Sequence, residues 1–142
     1  MNWLFIPIFI FCWVVSFLLH ELGQALEALR QGKNTATIKI SKKPPFMYTL
    51  AGYLPYRPLY LLAGGGFAGT VMLLVGLISF MLGCFLFTAA FLTMVIVQYL
   101  YAIFEVLFID ILSERAYNTY RFILYGMLVV ISIAICSISG LI

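Results

Sequence analysis

One short stretch of this chain carries residue types that could do metal chemistry, His20-Glu21-Leu22-Gly23-Gln24. Two histidines four residues apart share one helical face and can hold zinc, and a glutamate beside the first can take a proton from metal-bound water. Here the only histidine of the chain fills the first position, and Gln24 stands where the second imidazole would be. The stretch indicates either a metal site with one ligand replaced or a polar helix end where the first span meets the lipid headgroups. His20 and Gln24 are the candidate ligands, and Glu21 is the candidate general base.

Acidic residues in apolar surroundings are the candidates for a further ligand, because an ionisable side chain inside a membrane span is costly and marks a possible site. Asp110 is the first choice as third ligand, and Glu105 is the second. Glu27 lies two helical turns after His20, on the same predicted face. Simpler interpretations stay open: Asp110 as a helix-terminal carboxylate near Arg115, and Glu105 as a structural hydrogen-bonding residue.

The elements that must position these residues are membrane spans. Of the 142 residues, 65% are hydrophobic and 9% are charged, whereas a soluble domain carries about 25% charged residues. The first apolar run lacks the basic start and cleavage site of a signal peptide, so we expect a retained helix. We predict an all-α membrane protein forming one integral membrane domain over residues 1–142. About four apolar stretches are long enough to span a bilayer, at about 2–30, 59–82, 84–111 and 122–142.

Two connections between these spans have a recognisable pattern. Residues 33–57 combine β-branched and aromatic positions with the turn Lys42-Lys43-Pro44-Pro45, which predicts a short membrane-associated β-hairpin or extended loop. Gly32 is the candidate left-handed helix cap before it. A break near Gly83 divides the second span from the third. The run Ala63-Gly64-Gly65-Gly66-Phe67-Ala68-Gly69 predicts a close helix crossing.

Charge predicts the orientation in the membrane. In a four-span arrangement the basic residues all follow the first or the third span: Arg30, Lys33, Lys39, Lys42, Lys43, Arg57, Arg115 and Arg121. The positive-inside rule makes that side cytoplasmic and puts both termini outside. It also brings the ends of spans one and three, with His20 and Asp110, to the same face. The orientation in the membrane therefore explains the net charge of +3, and we expect no nucleic acid partner.

The opening motif resembles the site-2 protease family of intramembrane zinc metalloproteases, whose first core helix carries H-E-L-G-H-A. The segment His20-Glu21-Leu22-Gly23-Gln24-Ala25 matches five of those six positions. In that family a β-rich segment follows, then a helix opening with Ala-Gly-Pro, here Ala63-Gly64-Gly65, and a third helix with Leu-Asp-Gly. Phe108-Ile109-Asp110-Ile111 keeps that aspartate and its aliphatic predecessor. The resemblance covers about residues 10–112 and implies a three-helix core.

By that resemblance His20 and Asp110 would be zinc ligands, Glu21 the general base, and Gln24 the replaced second ligand. Peptide hydrolysis needs zinc that is held firmly and lowers the pKa of its water toward 7, and an amide is a weak donor for zinc. We therefore expect no cofactor or only weakly held zinc, and little or no proteolysis.

The leading hypothesis is a binding or structural subunit of a membrane complex, with the lipid bilayer and other membrane proteins or a transmembrane segment as partners. A prokaryotic cell membrane is the default location. An active divergent protease using His20, Gln24 and Asp110 remains an alternative. So does a small channel or carrier component with Glu105 and Asp110 as a proton-relay pair.

Overall fold

The structure, a computed structural model, describes residues 4–42, 47–50 and 54–111, and then the scattered residues 116, 119, 123–124, 126–127, 129–131, 133–134 and 137. In chain order the elements are α1 (Phe5–Arg30), β1 (Thr37–Ile40), β2 (Met47–Leu50), α2 (Arg57–Met81) and α3 (Phe85–Phe108). All three helices are long and apolar enough to cross a membrane. The predicted helical class, with helices suited to span a membrane, and the small hairpin after the first helix are confirmed. Most of the predicted fourth span, 122–142, lies outside the described residues.

Helix α1 is longer than the bilayer core requires. Its 26 residues rise by about 39 Å, against a hydrocarbon thickness of about 30 Å. The buried side chains recur every three or four residues and change from apolar to polar along the helix: Phe5, Phe9, Cys12, Ser16, His20 and Gln24. One face of α1 therefore carries both a hydrophobic core and, further along, the candidate site.

The end of α1 is fixed by a glycine. Gly32 has φ of +86°, the left-handed conformation predicted for it. Its N–H donates to the carbonyl of Leu29 at 3.0 Å, and the next N–H, of Lys33, donates to the carbonyl of Ala28 at 3.1 Å. These bonds satisfy carbonyls at the helix end that lack an intrahelical partner. The chain then turns toward the hairpin.

The two strands pair antiparallel, with Thr37 opposite Leu50 and Ile40 opposite Met47. β1 is exposed along its length, whereas β2 is half-buried against α1. The Tyr60 hydroxyl of α2 donates to the carbonyl of Thr49 at 3.2 Å. The hairpin is therefore attached to the helices through β2.

Helices α2 and α3 form an antiparallel pair joined at Gly83, whose φ of +73° allows the reversal where the sequence predicted a break. The predicted close crossing is also present. A Cβ on Gly65 would collide with the Ala102 side chain and the Gln98 carbonyl, and one on Gly69 would lie 2.9 Å from the Tyr99 ring. Small residues let membrane helices approach until their backbones touch. This contact fixes α3 beside α2 at the level of the site.

The interior divides into an apolar and a polar part. The apolar cluster comes from the first half of α1 and the facing parts of α2 and α3: Phe5, Phe9, Cys12, Met72, Ala89, Ala90, Phe91 and Met94. The polar part follows on the same face of α1 and ends at Glu27, which is still buried. Cys12 is a free buried thiol and Cys84 a free exposed one.

Candidate functional site

The centre of the polar interior is the imidazole of His20, which is fully buried. Its Nδ1 atom lies 2.9 Å from Oε1 of Gln98, and its Nε2 atom lies 3.1 Å from Oε2 of Glu105. Both partners come from α3, seven residues apart and thus on one helical face. The ring is therefore held at both nitrogens by the helix that lies across from α1.

A chain of hydrogen bonds determines which ring nitrogen carries a proton. The hydroxyl of Ser16 donates to the Trp13 carbonyl at 2.8 Å or to the Met94 sulfur at 3.7 Å, and in either case its oxygen accepts from Nε2 of Gln98 at 3.0 Å. The Gln98 oxygen must then face His20 and accept from Nδ1–H. In a neutral imidazole the other nitrogen, Nε2, carries a lone pair.

That lone-pair nitrogen belongs to a nearly equilateral triangle of polar atoms. Its sides are His20 Nε2 to Glu105 Oε2 at 3.1 Å, Gln24 Nε2 to Glu105 Oε2 at 3.1 Å, and Gln24 Nε2 to His20 Nε2 at 3.2 Å. The imidazole nitrogen and the carboxylate oxygen are both acceptors. A cation, either a proton or a metal ion, must lie between them for the contact to be favourable.

Packing fixes the imidazole from other directions. A Cβ on Gly64 would lie 2.5 Å from Nε2, 2.7 Å from Cδ2 and 2.8 Å from Cε1 of His20. These similar distances put the Gly64 backbone against the face of the ring. The Tyr101 ring centroid lies 5.0 Å from that of His20, at an interplanar angle of 56°. A larger residue at position 64 would displace the ring from its hydrogen bonds.

Glu21 is buried next to this centre and is bound from the hairpin. The hydroxyl of Thr49 lies 2.8 Å from the Glu21 carboxylate oxygen Oε2 and 3.0 Å from the Glu21 backbone carbonyl. One hydroxyl hydrogen is therefore shared between two acceptors of the same residue. The candidate general base is covered by β2.

The structure does not bring Asp110, the predicted third ligand, to His20. Helix α3 ends at Phe108, and Asp110 lies beyond it with a side chain 65% exposed, paired with the Arg57 guanidinium. The carboxylate that meets His20 is Glu105, the second choice. The physical reason is the end of the helix: α3 stops at Phe108, so Asp110 lies outside the helical face that carries Glu105. Asp110 and Glu105 therefore do not form the suggested relay pair.

Glu27 also stands apart from the triangle. Its carboxylate accepts from the Arg30 guanidinium at 2.6 and 2.8 Å and from the Gln31 side chain at 2.9 Å. Gln31 in turn exchanges two hydrogen bonds with the backbone of Tyr56, at 3.0 and 3.1 Å. Glu27 therefore belongs to a junction between the end of α1 and the start of α2.

Two members of the site were missed from the sequence. Gln98 and Ser16 are uncharged, and a single amide or hydroxyl in an apolar run does not by itself indicate a site. A signal was present, because Gln98 and Glu105 are two turns apart on α3 and would line one face. Ser16 likewise precedes His20 by one turn of α1.

The described residues hold no group of three His, Cys, Asp and Glu side chains that could bind a metal ion, although the sides of the triangle are similar to ligand spacings around zinc. The triangle offers three possible metal ligands only because the neutral amide of Gln24 belongs to it. A tetrahedral zinc about 2.0–2.1 Å from nitrogen and oxygen ligands has ligands about 3.3 Å apart, close to the sides observed. Rotating the Gln24 amide by half a turn would present its oxygen. Zinc held here would supply a Lewis acid and a more acidic bound water.

Comparisons of the chain with protein-family models, with curated proteins and with solved structures each found no match. The resemblance to site-2 proteases therefore rests on the residues of the chain itself.

Proposed function

We propose that this protein is a site-2-protease-like integral membrane protein that does not hydrolyse peptide bonds and acts as a binding or structural subunit of a membrane complex. The observation that carries the proposal is the amide of Gln24 at the third corner of the His20–Glu105 triangle. In the resembling family that position is an imidazole. His20 keeps polar partners here, but a weak metal ligand, the Gln24 amide, stands where the family has a strong one.

An amide at this corner disfavours hydrolysis for two reasons. A neutral amide oxygen holds zinc more loosely than imidazole, so less of the protein carries metal at a given zinc concentration. Its nitrogen, as the structure has it, donates to Glu105 at 3.1 Å and so binds the carboxylate that a metal would need. Both effects would lower the fraction of the protein that holds zinc.

The same contacts support a structural role. Buried hydrogen bonds join α1 to α3, from Ser16, His20 and Gln24 on the first helix to Gln98 and Glu105 on the third. In a membrane interior, polar contacts of this kind join helices that apolar packing alone would not align. The outer faces of the helices remain apolar and available to lipid or to a transmembrane segment of a partner. A rigid scaffold of this kind suits a subunit.

The decisive experiment is a cleavage assay in liposomes that contain the purified full-length protein, zinc and single-span peptides of varied sequence. We expect no cleavage by the wild type. Cleavage that disappears in Glu21→Gln would overturn the proposal, because it would show that the motif still acts as a base beside a metal. Cleavage unaffected by Glu21→Gln would indicate a contaminating protease, which a second purification step must remove before the result counts.

The subunit role needs its own measurement. After mild solubilisation of native membranes, the tagged protein should migrate in a native gel as an assembly larger than the 16.0 kDa chain in its micelle. Mass analysis of the intact assembly, with the isotope-labelled protein as reference, should then give a fixed ratio of this chain to another membrane protein. A monomer throughout, under conditions that preserve a known complex in the same extract, would contradict this part of the proposal.

An active, divergent protease is the second candidate, and one observation favours it. Glu21 is buried beside His20, and the Thr49 hydroxyl, 2.8 Å away, is a contact that hairpin movement could release. The carboxylate ligand would then be Glu105, with Asp110 left on the surface. The cleavage assay with Glu21→Gln distinguishes this candidate from the first.

A further inference from the structure

We infer that the turn between α2 and α3, residues 80–85, lies among the acyl chains of the far leaflet and does not emerge into water. The far leaflet is the one opposite the basic residues, and the turn is called the α2–α3 tip below. Lipid, and not a partner chain, then covers this surface. The inference takes from the proposed function only the membrane setting. It goes beyond that function because it states from which sides a partner can approach.

The α2–α3 tip is a continuous apolar surface. Its large side chains are exposed by 58–84%: Phe80, Met81, Leu82 and Phe85. Between Ser79 and Thr88 no side chain carries an amide, a hydroxyl or a charge. Turns in water are dominated by Gly, Pro, Asn, Asp and Ser, and of these types the tip has only a glycine. Contiguous exposed apolar surface marks contact with a membrane or with another protein.

The backbone of the α2–α3 tip bonds to itself, as a hydrocarbon environment requires. The N–H groups of residues 82–85 donate to carbonyls of residues 78–83 at 2.8–3.1 Å. The positive φ of Gly83 closes the turn without help from a polar side chain. The Phe80 and Phe85 rings meet edge to face across it, with centroids 6.0 Å apart. Backbone groups without partners are costly in lipid, so these bonds make the tip compatible with acyl chains.

The length of α2 puts the tip at the depth of the acyl chains. From Arg57 to Met81, the first and last residues of the helix, the axis rises by about 36 Å. At an average tilt of about 20° this rise covers about 34 Å of bilayer depth. With the Arg57 guanidinium in the headgroup layer, about 5 Å outside a hydrocarbon core of about 30 Å, Met81 falls just inside the far edge of that core.

The distribution of charge favours lipid over a partner protein at the tip. Every charged side chain of the described residues lies toward the opposite end of the helices, in the second half of α1, around the hairpin, at the start of α2 or at the end of α3. Protein interfaces have a polar rim and direct hydrogen bonds, for which the tip offers no side chain. Acyl chains need only apolar contact. A partner therefore approaches this protein within the bilayer or from the basic side.

The native thiol of Cys84, exposed within the tip, is the probe. The full-length protein with Asn34→Cys, an exposed position after α1, is reconstituted in liposomes of phosphatidylcholine and phosphatidylglycerol. A charged maleimide is supplied on both sides of the membrane, and peptide mapping gives the reaction rate of each thiol in the same chain. Maleimide reacts with the thiolate, which hydrocarbon disfavours. We expect Cys84 to react more slowly than the introduced thiol by about tenfold or more.

A second readout identifies what surrounds the thiol. Bimane is attached to Cys84 in Cys136→Ala, whose remaining thiol, Cys12, is buried. Lipids brominated along their acyl chains should quench it, and aqueous iodide should not. Rapid reaction with the charged maleimide, or quenching by iodide, would place the tip in water and overturn the inference. Protection from both quenchers would show that protein covers the tip, which overturns it as well.

Neither readout involves peptide cleavage or the native assembly. A failure here is therefore distinguishable from a failure of the proposed function.

Discussion

His20 Nδ1 lies 2.9 Å from Oε1 of Gln98, a residue 78 positions later in the chain, and this bond holds the imidazole in one tautomer. The bond crosses from α1 to α3, so it connects the first and last described helices. Because the Gln98 amide is itself oriented by Ser16, the contact is fixed in direction as well as in distance. It is therefore a sensitive place to test the architecture.

Replacing Gln98 by leucine should destabilise the protein by about 1–2 kcal/mol, because the buried Nδ1–H of His20 loses its acceptor. The measurement is the free energy of unfolding by denaturing detergent in mixed micelles. Leu100→Ala, on the exposed side of the same helix, should change the stability by less than about 0.5 kcal/mol. Equal effects of the two substitutions would show that His20 does not depend on Gln98.

Two adjacent glycines of α2 provide a sharper comparison. Gly65→Ala should cost about 1–3 kcal/mol, because the new methyl group meets the Ala102 side chain and the Gln98 backbone. Gly66→Ala meets nothing within 4 Å and should be neutral or stabilise by up to about 1 kcal/mol through helix propensity. Thermal unfolding in detergent measures both. A larger loss in the second variant would contradict the described helix pairing.

The attachment of the hairpin to α1 can be tested at Thr49. Thr49→Val keeps the size of the side chain but removes the hydroxyl that binds Glu21 at 2.8 Å. We expect faster hydrogen exchange across β2 and a loss of about 1–3 kcal/mol, because Glu21 loses a donor. Thr37→Val, on exposed β1, is the control and should leave exchange in β2 unchanged.

The orientation in the membrane remains a prediction from charge. A cysteine at Lys42, in a background without the native cysteines, should react with a membrane-impermeant maleimide only from the cytoplasmic side. Labelling of intact cells and of inverted vesicles measures this directly. Reaction in intact cells would invert the predicted topology, with no effect on the described contacts among the helices.

Hydropathy and glycine chemistry were sufficient to predict the elements. The second and third spans were expected at about 59–82 and 84–111, and the helices run over Arg57–Met81 and Phe85–Phe108. In a bilayer the backbone N–H and C=O groups of a long apolar run must bond to each other, as they do in a helix. The positive φ of Gly83 is a local property of one residue. Such features depend on short stretches of sequence, so they can be derived without the tertiary fold.

The choice between two carboxylates could not be made in the same way. Asp110 and Glu105 both interrupt an apolar run, and charge alone makes either one a candidate. Which of them faces α1 depends on where α3 ends and on the rotation that its contact with Gly65 imposes. The face carrying Gln98, Ala102 and Glu105 is visible as a helical spacing, but it becomes meaningful only once that crossing is known.

The distance along the chain between the partners of His20 has a consequence for biosynthesis. Gln98 and Glu105 follow His20 by 78 and 85 residues, so α1 enters the membrane before either has been translated. At about 5–20 residues per second, the imidazole waits on the order of ten seconds for its partners. During that interval the imidazole has neither of the partners that hold its two ring nitrogens. The hydrogen bonds between α1 and α3 can therefore form only at a late stage of synthesis, after most of the chain has been translated.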